Sequence, residues 1–289
     1  MMMKTPLFSG VATALVTPFL NGAVNYPLLE RLVRRQVEAG VSALVLSGTT
    51  GEAPTLTDEE KIQILRRAAS AAKGRCKLIA GTGSNSTAHA VAMSREAEQA
   101  GADGLLVVSP YYNKANPPGL IAHYQAVAQA VTVPVILYNV PSRTGLSIPV
   151  SVCQALSGIG NIVGIKEADT DLDRVVELRR CCDLTVWAGN DSLTVPVISV
   201  GGRGVISVAA NLLPEEMIAM TEAALDGDFD TAAAIQLRLQ PLLRLLFRQV
   251  NPIPVKAAMK CIGFDCGSCR LPLGPLEPEC RRELEALLG

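Results

Sequence analysis

The sequence predicts an α/β protein whose sheet closes into a (β/α)8 barrel, the TIM-barrel fold, with additional C-terminal helices. Eight short apolar runs recur along most of the 289 residues, and the intervals between them carry helix-start and helix-stop signals. A third observation is that strand signals end at about Asp228 while helical patterns continue. Hydrophobic residues make up 49% of the chain and charged residues 18%, which excludes a disordered chain.

The eight candidate strands are continuous apolar runs, which are typical of parallel strands buried on both faces of a sheet. An open doubly wound sheet usually has fewer strands, so this number favours a closed barrel. The strands are predicted at Val11–Val16, Ala43–Leu46, Leu78–Ala80, Leu105–Val108, Val135–Tyr138, Ile162–Ile165, Thr185–Ala188 and Gly204–Val208.

The intervals between these strands contain the end signals of helices. Thr57–Glu60 and Ser151–Gln154 have the pattern of capping boxes, which start a helix. Gly40 and Gly101 are predicted to end helices, because glycine adopts the left-handed conformation of a helix C-terminus. The segments at the two glycines resemble each other, as expected for a repeated βα unit.

The last part of the chain is predicted to be helical. We therefore divide the sequence into a (β/α)8 catalytic barrel over residues 1–227 and a C-terminal helical extension over residues 228–289. The helices of the extension are predicted at Ala232–Val250, Pro254–Ile262 and Pro278–Leu288.

The charge balance favours a small-molecule ligand over nucleic acid. Lys and Arg number 26 against 27 Asp and Glu residues, so there is no basic excess to neutralise phosphates. The N-terminus has no signal-peptide pattern, and no run reaches the roughly 18 apolar residues of a membrane span. We therefore expect a cytoplasmic protein with no membrane partner.

The eight cysteines are expected to be reduced thiols, since disulfides are rare in a long chain without a secretion signal. Cys266 and Cys269 form a C-x2-C element that could hold half of a zinc site. A second pair of Cys or His ligands is missing, so we expect no metal.

Lys166 is the most unusual polar residue of the sequence. Compact polar or glycine-rich segments follow most strands, and in a barrel these segments meet around one pocket at the carboxyl ends of the strands. Among the eight lysines only Lys166 ends a hydrophobic strand, where burial would favour a neutral amine able to attack a carbonyl carbon. The alternative is a structural lysine paired with a carboxylate at the rim.

Three further features of the rim are candidates for chemistry. Tyr138 ends a strand and could transfer protons, or it could simply have its ring in the core and its hydroxyl in water. Arg143, in a loop bounded by proline and glycine, suits a substrate carboxylate, although a solvated loop arginine is the alternative. Gly48–Gly51 offers backbone N–H groups and hydroxyls to a carboxylate, but could also be an ordinary turn.

Two other features are assigned no ligand. Gly81–Ser86 lacks the third glycine of a dinucleotide loop, and no Walker lysine follows it. His89 and His123 are far apart in sequence within predicted helices, and both are expected to be helix-surface residues.

Five motifs together resemble the dihydrodipicolinate synthase family of pyruvate-dependent class I aldolases. They occur in the family's order, and the similarity extends from about Gly10 to the C-terminal helices. The motifs are Gly48-Thr-Thr-Gly-Glu52, Ser109-Pro-Tyr-Tyr112, Tyr138-Asn-Val-Pro-Ser-Arg-Thr-Gly145, Gly164-Ile-Lys-Glu167 and Gly204-Val-Ile-Ser-Val208.

The resemblance implies a lyase that condenses pyruvate with L-aspartate 4-semialdehyde to give 4-hydroxy-tetrahydrodipicolinate, the first committed step of diaminopimelate and lysine biosynthesis. Lys166 would form an imine with pyruvate, so that no cofactor is needed. Tyr138 would carry protons, connected through Thr49 to Tyr112 of a neighbouring subunit. The implied oligomer is at least a dimer, commonly a dimer of dimers. The implied substrate-binding residues are Thr50, Ile206, Arg143 and Gly189.

One part of the family pattern differs in this sequence. Members inhibited by lysine bind it with a histidine and a glutamate, and Lys61 and His89 occupy those positions here, while Asn85 and Tyr111 are retained. Two cationic side chains would repel the ammonium groups of lysine. Weak or absent lysine inhibition is therefore expected.

Two other functions are considered. A sugar-acid lyase of the same superfamily, such as N-acetylneuraminate lyase or a keto-deoxy-sugar-acid aldolase, would share the lysine and tyrosine, but Arg143 and the Thr49–Thr50 pair argue against it. A barrel retained as a binding protein would have a broken site, and none of Lys166, Tyr138, Thr49 and Tyr112 is missing.

Overall fold

The computed structural model describes residues 4–288, and within them eight parallel strands form a closed barrel. Each strand pairs with the next strand of the barrel along the chain, and the last pairs with the first, as the sequence predicts. The strands are β1 Gly10–Ala14, β2 Ala43–Leu46, β3 Lys77–Gly81, β4 Gly104–Val108, β5 Val135–Asn139, β6 Ile162–Glu167, β7 Thr185–Ala188 and β8 Gly204–Ser207. A two-stranded ribbon, Phe19–Leu20 with Ala23–Val24, follows β1.

The helices lie between the strands and continue after the last one. Those within the barrel region are α1 Tyr26–Ala39, α2 Asp58–Ala72, α3 Thr87–Gln99, α4 Pro117–Ala130, α5 Pro141–Thr144, α6 Val150–Ser157, α7 Leu172–Cys181, α8 Thr194–Ser199 and α9 Pro214–Leu225. The C-terminal helices are α10 Phe229–Leu245, α11 Ile253–Cys261 and α12 Pro278–Leu288.

Two hydrophobic layers stabilise the barrel. The larger layer packs the strands against the surrounding helices, and a smaller one fills the barrel interior. In the interior, the rings of Phe8 and Trp187 stack with centroids 4.7 Å apart. Gly164 makes room for Trp187, since a Cβ at this position would lie 2.4 Å from the indole ring. The interior is therefore a packed core and not a channel.

The helix ends agree with most of the sequence signals. Thr57 and Glu60 form the predicted capping box, and Gly40 ends α1 in the left-handed conformation, with φ of 90°. The capping box predicted at Ser151–Gln154 is wrong, because Pro149 is the N-cap and Ser151 lies inside α6. Proline fits a helix start because its φ is already helical and it has no N–H to satisfy.

Within residues 4–288, no helix has the length and apolar character needed to cross a membrane.

Candidate active site

A cavity of about 600 Å³ opens at the carboxyl ends of the strands. Thr49, from the loop after β2, Tyr138, at the end of β5, and Arg143, in α5, all contribute to its wall. The barrel brings these residues together because parallel strands end on the same side of the sheet.

Lys166 lies beside this cavity and contacts Tyr138. The two residues are register partners on β5 and β6, and Lys166 Nζ is 4.5 Å from the centroid of the Tyr138 ring. Both side chains are buried, with 5% and 6% of their surface exposed. Within residues 4–288 no carboxylate oxygen lies within the 4.0 Å of an ion pair with Lys166, although the charge of Lys166 acts on the buried carboxyl group of Asp191.

The residues that follow this pair in sequence face the other side of the sheet, because side chains alternate along a strand. Glu167 accepts a hydrogen bond from Asn139 Nδ2 at 2.7 Å and another from Arg174 Nε at 2.8 Å. Glu167 is buried and fully engaged by these donors. These hydrogen bonds hold the ends of β5 and β6 together on the opposite face of the sheet. They thereby help to fix the relative positions of Lys166 and Tyr138.

Asp191 is the acidic residue electrostatically coupled to Lys166. It is 1% exposed, and its Oδ2 accepts hydrogen bonds from the backbone N–H groups of Val208 and Ala209, both at 3.1 Å. Burial raises the pKa of Asp191, while hydrogen bonds and the charge of Lys166 act in the opposite direction. Asp191 follows β7 by three residues, and no sequence motif assigned it a role.

The loop after β2 is held by the C-terminal extension. Thr50 is buried, and its Oγ1 accepts a hydrogen bond from Asn251 Nδ2 at 2.9 Å. Glu52 adopts a left-handed conformation, with φ of 58°, and its Oε1 lies 2.8 Å from Lys256 Nζ in a buried ion pair. These anchors were missed in the sequence because Asn251 and Lys256 follow the loop by about two hundred residues and belong to no local motif.

Arg143 lies at the mouth of the cavity with an exposed side chain. One guanidinium nitrogen, Nη2, donates a hydrogen bond to the backbone oxygen of Asn251 at 3.1 Å. The rest of the guanidinium group remains available to a planar anion such as a carboxylate.

The remaining predicted substrate-binding residues are part of the barrel frame. Ile206 is fully buried in the same interior layer as Tyr138. Gly189 packs closely on the preceding strand, donating its N–H to the backbone oxygen of Glu167 at 2.7 Å. A Cβ at Gly189 would lie 2.6 Å from Ala168 Cβ, so only glycine fits.

Tyr112 does not enter the cavity of its own chain. Its side chain is 90% exposed, and its φ of 73° is unusual for a residue other than glycine. The neighbouring Tyr111 lines the cavity instead. The structure thus brings Thr49 and Tyr138 together at the cavity but not Tyr112.

The positions that differ from the lysine-binding pattern form a polar cluster in the outer wall of the cavity. Asp58 lies 3.1 Å from Lys61 Nζ and 2.7 Å from His89 Nε2. Burial alone would raise the pKa of Asp58, but hydrogen bonds from His89 and Lys61 lower it below its usual value. His89 is partly exposed, as expected for a helix-surface residue.

His123 does not lie on the surface, so that prediction is wrong. It is 3% exposed on the inner side of α4, where its Nδ1 is 2.9 Å from Thr87 Oγ1, and burial lowers its pKa. His123 is buried because the apolar residues on the same face of α4 pack into the core.

All eight cysteines lie within the described residues and are free thiols. Burial raises the pKa of Cys266 to about 12 and that of Cys269 to about 12, which disfavours the thiolate that a metal would require. Among residues 4–288, no three His, Cys, Asp or Glu side chains are grouped as metal ligands.

A closed (β/α)8 barrel whose cavity at the carboxyl ends of the strands is lined in part by polar side chains defines the class as TIM-barrel enzymes. Comparison with known proteins identifies the family. The sequence profile of the dihydrodipicolinate synthetase family matches residues 7–289. A 4-hydroxy-tetrahydrodipicolinate synthase of Thermoanaerobacter sp. strain X514 is 44% identical over 287 residues, covering 98% of this chain and 97% of the relative.

Solved structures agree with this assignment. The dihydrodipicolinate synthase of Aquifex aeolicus has a TM-score of 0.96 at 44% identity, covering 97% of both chains. The dihydrodipicolinate synthase of Thermotoga maritima has a TM-score of 0.96 at 38% identity, covering 98% of both chains. The chain belongs to the dihydrodipicolinate synthetase family, and it is a lyase.

Proposed function

We propose that this enzyme condenses pyruvate with L-aspartate 4-semialdehyde to give 4-hydroxy-tetrahydrodipicolinate, the first committed step of diaminopimelate and lysine biosynthesis. The names of its relatives support the reaction. The observation that carries the mechanism is Lys166 Nζ, 4.5 Å from the Tyr138 ring centroid and without a carboxylate partner among the described residues. We expect the reaction to take place in the cytoplasm.

The chemistry begins with Lys166. Its neutral amine attacks the carbonyl carbon of pyruvate, and loss of water leaves an imine. Because the imine activates pyruvate for the next step, the proposed reaction needs no cofactor. Loss of a proton from the methyl group gives an enamine, whose carbon forms the new bond to the aldehyde carbon of the semialdehyde. The amino group of the second substrate then attacks the imine carbon, which closes the ring and releases the Lys166 amine.

The surrounding residues position the substrates and move protons. Thr50 and Ile206 contact pyruvate, and Gly189 is a further substrate-binding residue. Arg143 binds the carboxylate of the semialdehyde, as its position at the cavity mouth supports. Tyr138 transfers protons to and from the reacting atoms.

The proton path continues through Thr49 to Tyr112 of a second subunit. Thr49 and Tyr138 line one cavity, whereas Tyr112 is exposed and does not line the cavity of its own chain. A site completed by a partner's tyrosine requires at least a dimer, and we propose a dimer of dimers.

A substrate panel tests the function. Purified protein is assayed with pyruvate and aspartate semialdehyde, and in parallel with N-acetylneuraminate and with 2-keto-3-deoxygluconate. Turnover of the first pair alone is expected, and turnover of only the sugar acids would assign the enzyme to the other branch of the superfamily. The Lys166→Ala variant is the control and should be inactive on every substrate.

A further inference from the structure

Asn251 connects the C-terminal extension to two of the four proposed substrate-binding residues, Thr50 and Arg143. It lies between α10 and α11 and is 5% exposed. Its side-chain Nδ2 donates to Thr50 Oγ1 at 2.9 Å, and its backbone oxygen accepts from Arg143 Nη2 at 3.1 Å. The side chain thus reaches the pyruvate side of the site and the backbone reaches the semialdehyde side.

The direction of the hydrogen bond at Thr50 matters for pyruvate. A threonine hydroxyl has one proton to donate and lone pairs that accept. Because the amide of Asn251 occupies a lone pair of Thr50 Oγ1, the hydroxyl proton stays free for another acceptor. A carboxylate is such an acceptor, and a hydrogen bond to a charged acceptor is stronger than one between neutral groups.

We propose that Asn251 is a positioning residue for pyruvate binding: its amide orients the Thr50 hydroxyl so that the hydroxyl proton points to the substrate carboxylate. This inference rests on the proposed function, in which Thr50 contacts pyruvate. Burial makes the orientation effective, since Thr50 is 3% exposed and water cannot readily replace the amide. The amide oxygen of Asn251 has no partner within residues 4–288, so the bond to Thr50 is the side chain's one contact to a protein polar group there.

The isosteric variant Asn251→Asp separates orientation from packing. It keeps the size of the side chain but puts an acceptor where the amide donates, so that the Thr50 hydroxyl donates to the variant instead of to pyruvate. Asn251→Ala removes the bond without capturing the proton and should have a smaller effect. Neither variant removes the backbone oxygen that Arg143 contacts.

The measurement is the pyruvate concentration that gives half-maximal imine trapping by borohydride, read by intact mass without the second substrate. We expect Asn251→Asp to raise this concentration roughly tenfold, the value of one charge-assisted hydrogen bond. At steady state the KM for pyruvate should rise by a similar factor, while the KM for aspartate semialdehyde changes by less than about twofold. Asn161→Asp is the matched control, because Asn161 Nδ2 is a hydrogen-bond donor too, to two backbone oxygens, but lies before β6 at the opposite end of the barrel.

A double-mutant cycle shows whether Asn251 acts through Thr50. If it does, Asn251→Ala has no further effect on pyruvate binding in a Thr50→Val background. A full effect in that background would overturn the inference, as would wild-type pyruvate binding by Asn251→Asp or an equal rise in both KM values. If Asn251→Asp does not fold, the alanine variant and the cycle decide. A wild-type enzyme that traps no pyruvate would reject the proposed function and this inference with it.

Discussion

The two buried lysines of the described residues have different environments, as expected if Lys256 is structural and Lys166 is the proposed nucleophile. Lys256 is 2.8 Å from Glu52 Oε1 and also donates to the backbone oxygens of Thr17 and Ser268, so all three of its N–H donors are used. Lys166 Nζ lies over the ring of Tyr138 and has no ion-pair partner within residues 4–288. Three hydrogen bonds hold the Lys256 ammonium in place, whereas no ion pair ties Lys166 to a carboxylate, and Lys166 is therefore the proposed nucleophile.

Replacing Tyr138 by phenylalanine tests whether the Tyr138 hydroxyl group transfers protons. Tyr138→Phe keeps the ring that contacts Lys166 and removes only the hydroxyl, so kcat should fall by about 100-fold with a smaller change in KM for pyruvate. Tyr124→Phe is the control, because Tyr124 is also buried but its hydroxyl bonds the backbone oxygen of Val107. Steady-state kinetics of both variants decide, and equal activity of Tyr138→Phe and wild type would remove Tyr138 from the mechanism.

Lysine inhibition should be weak or absent, because Lys61 is cationic and His89 stands where lysine-inhibited members have a glutamate to pair with the ligand's ammonium group. Enzyme activity is measured against increasing lysine for the wild type and for the double variant Lys61→His with His89→Glu. The double variant, which restores the residue types of lysine-inhibited members, should gain inhibition. Inhibition of the wild type at micromolar lysine would contradict this prediction.

At the scale of elements, the start of α2 is joined to the C-terminal extension by a pH-sensitive ion pair. Both guanidinium Nη atoms of Arg270 donate to Glu60, at 2.6 and 2.7 Å, and Glu60 also closes the capping box with Thr57. Hydrogen bonds from Arg270 hold the pKa of Glu60 below its usual value despite partial burial. Since the folded-state pKa is lowered, the stabilisation is present at neutral pH and lost as the pH falls through the folded-state pKa.

The variant Glu60→Gln should therefore be less stable than the wild type at neutral pH, and the difference should shrink below about pH 4.5. Glutamine retains the capping-box geometry, so the difference reports the charge. Urea unfolding of both proteins across this pH range measures the free energy of unfolding. Glu59→Gln, on the same turn and exposed, is the control and should show little difference. A difference for Glu60→Gln that is independent of pH would reject the ion pair as its source.

Local sequence signals predicted the helix ends well where a single local interaction determines the end. The capping box at Thr57 and the glycine at position 40 act within one helical turn, and both were confirmed. The first strand was predicted to Val16 but ends at Ala14, and α10 begins at Phe229 where Ala232 was expected. These differences arise because apolar periodicity marks the middle of an element better than its ends.

The sequence patterns could predict those site residues whose position is determined by the end of a strand. Lys166, Tyr138, Thr49 and Arg143 follow apolar runs, and parallel topology then requires that they meet. Contacts such as Asn251 to Thr50 depend on how the extension packs over the rim, and no periodicity encodes that packing. Tertiary contacts between distant segments therefore supplied what the sequence patterns could not.

For the whole molecule, the exposed Tyr112 links the proposed proton path to the assembly of subunits. A mixed oligomer tests whether Tyr112 acts in the site of a neighbouring subunit. Lys166→Ala and Tyr112→Phe are each expected to lower activity strongly. If Tyr112 acts across the subunit interface, a mixed oligomer of the two variants contains sites with an intact lysine and the partner's intact tyrosine. Co-expression should then restore activity above that of either variant, measured on protein purified through tags on both chains.

The absence of restored activity in the mixed oligomer would mean that Tyr112 acts within its own chain or not at all. Analytical ultracentrifugation of the wild type at assay concentration accompanies this measurement, and at least a dimer is expected. A fully active monomer would contradict the shared site.

Borohydride trapping shows directly whether Lys166 binds pyruvate covalently. Wild-type protein is incubated with pyruvate, reduced with borohydride, and examined by intact mass and by peptide mapping. We predict one added pyruvate per chain, located on Lys166 and not on Lys256, and no addition to the Lys166→Ala variant. Wild-type protein that gains no mass, or gains it at another lysine, would contradict covalent catalysis by Lys166.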